Sequence, residues 1–362
     1  MKQIISVVGA RPNFMKVAPI HRAFDAYRDT WQHSIVHTGQ HYDAAMSDSF
    51  FTDLNMPHPR WFMGVGSGSH GEQTAKIIVG FEKVCLEAKP DCVIVVGDVN
   101  STVACALVSV KLGIPTVHVE SGLRSFDRAM PEEINRLATD AIADQHFVTE
   151  QSGYDNLVRE GIAPSRIYMV GNTMIDSLHY AMPKANASDI HTRVGVQKGR
   201  YCLVTMHRPS NVDHPDQLRM LLGVIESISH EQPVVFPVHP RTRNKMAELG
   251  TLLPTSVHLI DPVRYVDFLA LMKSAAVVLT DSGGIQEETT ALGVPCITAR
   301  TTTERPVTTE LGTNVLVEPT ADKILRAMSE FLAGHHKKGI IPPLWDGHAA
   351  ERIAAIITAH YS

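Results

Sequence analysis

The chain has 362 residues, 44% apolar and 20% charged, with 24 Gly and 21 Pro. That composition is ordinary for a globular protein, and the length implies ~2 domains. Lys and Arg total 33 against 38 Asp and Glu, for a formal net charge of −5. This excludes a bulk basic field for nucleic acid or an anionic membrane but permits a local phosphate pocket.

The chain has no apolar stretch approaching the ~18–20 residues of a membrane span. The first run, Ile4–Val8, is too short for a signal-peptide core and is interrupted soon after by Arg11 and Lys16. Five scattered cysteines (Cys85, Cys92, Cys105, Cys202, Cys296) form no CxxC pair. Packed thiols in a reducing, cytoplasmic setting are therefore expected, rather than a disulfide framework or a zinc ribbon.

Short β-branched runs recur at helix-length intervals along the chain. They are Ile4–Val8, Ser34–His37, Val93–Val96, Thr116–Val119, His146–Val148 and Ile167–Val170. The second half continues with Tyr201–Thr205, Val234–Val238, Val257–Ile260, Val277–Thr280, Cys296–Thr298 and Val315–Val317. Many are apolar throughout, as strands covered on both faces are. The alternation with helical segments predicts α/β architecture: two Rossmann-like doubly wound domains facing across a cleft. The domains are expected over 1–175 and 195–346. Between them lies a linker region, 176–194, near the weakly patterned Pro183–Arg200, and a last helix is expected over about 347–362.

Open α/β sheets hold ligands beyond the carboxyl ends of their strands. Those tips carry Gly9-Ala10-Arg11-Pro12, Thr38-Gly39-Gln40-His41, Gly97-Asp98 and Glu120-Ser121-Gly122-Leu123-Arg124. In the second half they carry His207-Arg208-Pro209, His239-Pro240-Arg241 and Asp281-Ser282-Gly283-Gly284. Gly9–Lys16 (GARPNFMK) reads as a strand-to-helix turn with Pro12 as its first helical residue. Open amides there, with Arg11 and Lys16, suit a phosphate. The plainer alternative is a helix start with a surface Arg. Neither GxGxxG nor the P-loop pattern is present, which disfavours NAD binding and P-loop chemistry.

Asp281–Glu288 (DSGGIQEE) opens a helix after a strand. Its glycine pair lets amides approach a diphosphate, and Glu288 is placed to accept ribose hydroxyls. The alternative is an Asp/Ser cap followed by solvated glutamates. Asp98, Glu120 and Glu132 come from three loops of the first half. Converging carboxylates permit separate acid and base roles, whereas singly Asp98 reads as a cap and Glu132 as a first-turn glutamate. His207, one of 19 histidines, ends a strand where it can meet a phosphate or protonate a leaving oxygen. His37 and His41 sit on a strand end and turn, poor spacing for zinc. Tyr265 and Phe268 lie in an apolar helical pattern, with base stacking a second role for one ring.

The motifs GARPNFMK, HTGQHYD, VVGDVNST, HVESGLRS, MPEEINR, VGNTMID, FPVHPRT, TDSGGIQEE and TTERP, with Met206-His207-Arg208 among them, span Gly9 to Pro306. On these residues the chain closely resembles the non-hydrolysing UDP-N-acetylglucosamine 2-epimerases. The resemblance implies a GT-B-type pair of domains, a terminal helix crossing back to the first domain, and a homodimer. It implies interconversion of UDP-GlcNAc and UDP-ManNAc through a 2-acetamidoglucal held beside UDP, with no cofactor and no metal. By the same resemblance Asp98, Glu120, Glu132 and His207 are catalytic. Arg11, Lys16, Arg136, His239, Phe268, Ser282, Gly283, Gly284, Glu288 and Arg305 bind substrate or UDP.

Two departures stand out. His207 is followed by Arg208-Pro209-Ser210-Asn211 where the family commonly has Arg-Arg-Glu-Asn. Many bacterial members bind a second UDP-GlcNAc as activator; Gln40, His41 and His239 match that set, but Asp43, Ser67 and Gly68 do not. An absent or altered activator site is expected. Competing readings are an epimerase of a UDP-diacetamido uronic acid sugar, a hydrolysing 2-epimerase, a GT-B glycosyltransferase, and a catalytically silent UDP-sugar-binding regulator.

Overall fold

The computed structural model describes residues 1–40 and 51–361, with Arg11, Ser210 and Arg241 described by their backbone alone. His41 and Asp43 therefore lie outside the described residues. The chain divides into two compact units, Met1–Tyr180 with Pro343–Ser362, and Ala181–Pro342.

The first unit carries β1 (Lys2–Val8), β2 (Trp31–His37), β3 (Trp61–Phe62), β4 (Cys92–Val96), β5 (Thr116–Val119), β6 (Gln145–Val148) and β7 (Ile167–Met169). They form one parallel sheet in the order β3-β2-β1-β4-β5-β6-β7. Its helices include α1 (Arg11–Ala23), α2 (His70–Ala88), α3 (Asn100–Lys111), α4 (Pro131–Ile142) and α5 (Gln151–Arg159), and α6 (Thr173–Asn186) begins in it and runs on past Tyr180. β4 is buried along its whole length, which explains its unbroken apolar run. Ile5, Val7, Val93 and Val95 share one core with Ile77 and Phe81 of α2 and Ala104 and Val108 of α3. The two-residue β3 was not anticipated: Trp61 and Phe62 belong to no β-branched run.

The second unit repeats the plan with β8 (Cys202–Thr205), β9 (Val234–Pro237), β10 (Val257–Ile260), β11 (Val277–Thr280), β12 (Cys296–Ala299) and β13 (Asn314–Val317). Their parallel order is β10-β9-β8-β11-β12-β13. Around them lie α7 (Ile190–Val194), α8 (Pro209–Val212), α9 (Pro215–Ser229), α10 (Pro240–Glu248), α11 (Tyr265–Lys273), α12 (Gly283–Leu292), α13 (Pro306–Glu310) and α14 (Ala321–Leu332). Val204, Phe236 and Leu279 pack with Leu221 and Ile225 of α9 and Ile324 and Met328 of α14.

The stretch 176–194, expected as a linker, is largely helical: α6 runs on to Asn186 and α7 follows. Ala181, Ala185 and Ile190 are buried, so packing imposes helical geometry where the local pattern is weak. The terminal helix, Ala349–Tyr361, belongs to the first unit. Asp176 caps it, accepting the amides of Ala349 and Ala350 at 3.2 and 2.7 Å. Before it, Trp345 is buried and donates its indole N–H to the Thr149 carbonyl at 3.0 Å. All five cysteines are buried and unbridged. Among the described residues no helix is long and apolar enough to cross a membrane.

Candidate active site

Strand order reverses between β1 and β4 in one sheet and between β8 and β11 in the other. These are the switch points where open α/β sheets hold ligands. In the first unit, Val96 pairs in register with Val119, which sets Gly97-Asp98 beside Glu120. Gly97 has φ +67°, and a Cβ there would stand 2.8 Å from Lys16 Nζ, so both backbone and space call for glycine. Lys16 Nζ lies 2.7 Å from Glu120 Oε2, both side chains buried. Asp98 is ion-paired with Arg136 of α4, whose Nη1 lies 3.1 Å from Glu133 Oε2. The two strand-end acids are thus neighbours, each with its own cation. Glu120 has φ +66°, a left-handed conformation that costs a side-chain-bearing residue ~1–3 kcal/mol and is typical of functional positions.

Helix α4 turns a charged face inward. Glu133, Arg136 and Asp140, at spacings of three and four, are 1–2% exposed, while Ile134 is 41% exposed. Glu133 accepts the Ser125 amide and hydroxyl at 2.8 and 2.9 Å and the Phe126 amide at 3.2 Å. It thereby ties the loop after β5 to Arg136. Glu132 sits in the first turn of α4 and is exposed.

The turn after β1 differs from expectation. The Gly9 and Ala10 amides both donate to Asn13 Oδ1 at 3.0 Å, and Asn13 Nδ2 donates to the Val96 carbonyl at 3.2 Å. These amides are satisfied internally rather than open to a phosphate, and Lys16 faces Glu120. Gln40, matched to the activator set, is buried. Its Oε1 accepts the Ser101 amide at 3.1 Å and hydroxyl at 2.7 Å. Ser67 and Gly68 are exposed.

In the second unit Thr205 pairs in register with Thr280, which brings His207 and Asp281 together. His207 Nδ1 lies 3.0 Å from Asp281 Oδ1, on a side chain 55% exposed. Fully buried, Asp281 also accepts the amides of His207 at 3.1 Å and Arg208 at 3.0 Å and Asn211 Nδ2 at 3.0 Å. Burial pushes its carboxyl up, but the bonds from His207, Asn211 and Arg208 outweigh this and hold it below the ordinary value. A carboxylate only accepts, so this contact places a hydrogen on His207 Nδ1. Asp281 is therefore an orienting group, not the helix cap of the plainer reading. Arg208 and Asn211 are the residues retained within the departing Arg-Pro-Ser-Asn segment.

Helix α12 starts at Gly283. Ser282 holds its N-cap position without a side-chain cap bond. A Cβ at Gly283 would stand 2.8 Å from Arg305 Nη1 and 2.9 Å from Glu304 Oε1. Arg305 Nε lies 2.9 Å from Glu287 Oε1 and its Nη1 2.7 Å from Glu304 Oε1. Arg300 Nη1 is 3.0 Å and Arg208 Nη2 3.8 Å from Glu304. Three guanidinium groups thus outnumber two carboxylates beside a helix N-terminus, a setting that favours an anion. Burial, with Arg208 and Arg305 adding to it, lowers the Arg300 pKa against the pull of Glu304.

Glu288 is buried and accepts the Tyr265 hydroxyl at 2.7 Å. Phe268 is half-buried one turn along α11, and His239 is exposed before α10. Unanticipated from the sequence are the contacts made by Asn13, Glu133, Asp140, Arg300 and Glu304, with Asp281 as the partner of His207 and Tyr265 as that of Glu288. The helical spacing of Glu133, Arg136 and Asp140 was the one available signal, and it reads equally as a solvated face.

The fold and site define a doubly wound α/β protein with a strand-order switch point in each unit, guanidinium groups beside a helix N-terminus in one and strand-end acids in the other. Residues 25–358 match the family described as UDP-N-acetylglucosamine 2-epimerase. A UDP-N-acetylglucosamine 2-epimerase from Methanocaldococcus jannaschii is 42% identical over 362 residues, covering 97% of this chain and 98% of its own. The UDP-2,3-diacetamido-2,3-dideoxy-D-glucuronate 2-epimerase of Pseudomonas aeruginosa is 40% identical over 328 residues, covering 90% and 91%. The crystal structure of the M. jannaschii UDP-GlcNAc 2-epimerase in complex with UDP-GlcNAc and UDP superposes with a TM-score of 0.89 at 40% identity, covering 99% of this chain and 100% of that one. The chain belongs to the UDP-N-acetylglucosamine 2-epimerase family and is an isomerase.

Proposed function

We propose that the enzyme inverts C2 of UDP-N-acetylglucosamine by eliminating and re-adding UDP. The observation that carries this reading is the pair of strand-end acids, Asp98 and the backbone-strained Glu120, each held by its own buried cation. One carboxylate takes the C2 proton; the C–H electron pair becomes the C1=C2 bond as the C1–O bond breaks and UDP leaves. UDP oxygen then adds back to C1 while C2 receives a proton on the opposite face. Two acid/base groups and stabilisation of a departing diphosphate are what this chemistry needs. Asp98, Glu120 and the exposed Glu132 serve the sugar. Arg136 and Lys16 hold the first two in place.

The diphosphate is assigned to the amides of Ser282, Gly283 and Gly284 with Arg305, the uridine to Glu288 and Phe268, and the leaving oxygen to His207. Arg11 and His239 complete the binding set through the family resemblance. The test is proton NMR of enzyme with UDP-GlcNAc in heavy water. Deuterium at C2 of both UDP-GlcNAc and UDP-ManNAc is expected; free ManNAc, or no exchange, refutes the reading.

A second reading is favoured by the P. aeruginosa relative, nearly as similar as the first and named for a UDP-diacetamido glucuronate. Supplying both sugars in the same assay separates the two. Dependence of UDP-ManNAc turnover on added UDP-GlcNAc tests the expected lack of an activator.

A further inference from the structure

A buried polar network on α4 lies one turn beyond Arg136 and outside the groups assigned above. The Asp140 carboxylate is 1% exposed and accepts four donors. His118 Nδ1 is 2.6 Å and the Ser121 hydroxyl 2.5 Å from its Oδ1. The Gly122 amide is 3.0 Å and Arg124 Nη2 2.7 Å from its Oδ2. The opposite ring nitrogen of His118, Nε2, lies 2.8 Å from the Gly97 carbonyl.

His118 thus bridges two groups that only accept, a carboxylate at one ring nitrogen and a carbonyl at the other. The other groups facing the network are Glu160, paired with Arg124 at 2.5 Å, and His146, whose Nδ1 is 2.9 Å from the Ser121 hydroxyl. Ser121 gives its proton to Asp140, so His146 donates to Ser121. Burial would raise the Asp140 carboxyl, but His118, His146 and Arg124 overcome this and hold it well below its usual range.

The network holds the backbone just before one strand-end acid and just after the other. Through His118 it fixes the Gly97 carbonyl, which precedes Asp98. Through Ser121 and Gly122 it fixes the two residues after Glu120, whose left-handed backbone needs outside support. Gly122 itself has φ +80° and has no room for a Cβ, which would stand 2.2 Å from the Gly153 carbonyl oxygen.

We propose that Asp140 is a positioning residue for epimerisation: through His118, Ser121 and Gly122 it aims Asp98 and Glu120 at the sugar without touching substrate. The proposal rests on the epimerase reading. Asp140→Asn keeps the volume but turns an amide N–H toward the donors of its neighbours. With the carboxylate gone, at least one of its four donors loses its acceptor, and the tie through His118 to the Gly97 carbonyl loosens.

The experiment pairs ¹⁵N-histidine NMR of the wild type with kinetics of Asp140→Asn and Ser121→Ala. Both His118 ring nitrogens are expected to be hydrogen-bonded in the wild type, one to Asp140 and one to the Gly97 carbonyl. Asp140→Asn is expected to lower kcat ~10²-fold, the scale of an ångström's misplacement, and Ser121→Ala ~10-fold. KM for UDP-GlcNAc should stay within ~3-fold in both, because the groups assigned to UDP lie elsewhere. A bare His118 nitrogen, wild-type kcat in either folded variant, or a loss expressed in KM overturns the proposal. Should Asp140→Asn fail to fold, Ser121→Ala and the ring measurement decide. Absence of wild-type turnover would refute the epimerase reading instead, and the ring measurement would then decide whether the network exists as described.

Discussion

Asp281→Asn probes the second unit most directly. The Asp281 carboxylate is fully buried and accepts two backbone amides, the Asn211 amide group and His207 Nδ1. Asparagine fits the space but replaces one acceptor oxygen with a donor, leaving one or two buried donors unpaired at ~1–3 kcal/mol each. A stability loss of ~2–4 kcal/mol follows.

His207 also loses the carboxylate that sets its tautomer. A hydrogen bond to a charged group contributes ~1.5–3 kcal/mol, and the ring's 55% exposure calls for the lower end. The expected drop in kcat is therefore ~10-fold. The pH dependence has a definite sign. Asp281 is held below its ordinary value, so its contribution is full above the unfolded carboxylate pKa and is lost as pH falls through the folded one. Asp281→Asn should remove that acid-side loss. Urea denaturation at neutral and acid pH, with NMR turnover, measures both effects. Wild-type stability and kcat in the variant would refute the orienting role.

Three further outcomes are expected. Lys16→Met removes the buried cation beside the Glu120 carboxylate and should cost ~3–5 kcal/mol in urea denaturation; adding Glu120→Gln should restore stability but not activity. Gly283→Ala drives a Cβ against Arg305 and Glu304 and should weaken UDP binding ~5–30-fold by calorimetry, from ~1–2 kcal/mol of overpacking. Glu132→Gln, at an exposed first-turn position, should leave stability within ~0.5 kcal/mol while lowering kcat ~10²-fold or more, separating chemistry from structure.

Much of the fold was legible because parallel strands buried on both faces must be apolar throughout. All twelve runs identified along the chain correspond to strands, and the register of Val96 with Val119 and of Thr205 with Thr280 carries the polar tips into adjacency. β3 escaped because an edge strand of two residues needs no such run. The segment 176–194 escaped because its helices are stabilised by packing of Ala181, Ala185 and Ile190, a tertiary contribution that outweighs weak local preference.

The site divides along the same line. Which residue types stand at strand ends follows from chain order, since a strand's tip is wherever its apolar run stops. What each tip touches does not. Helix α4 buries Glu133, Arg136 and Asp140 and exposes Ile134, the reverse of an amphipathic surface helix, because ion pairs and hydrogen bonds satisfy its charges inside. Helical spacing tells which residues share a face but not which face is inward; that was decided only when Asp98, His118 and the turn around Glu120 closed over it.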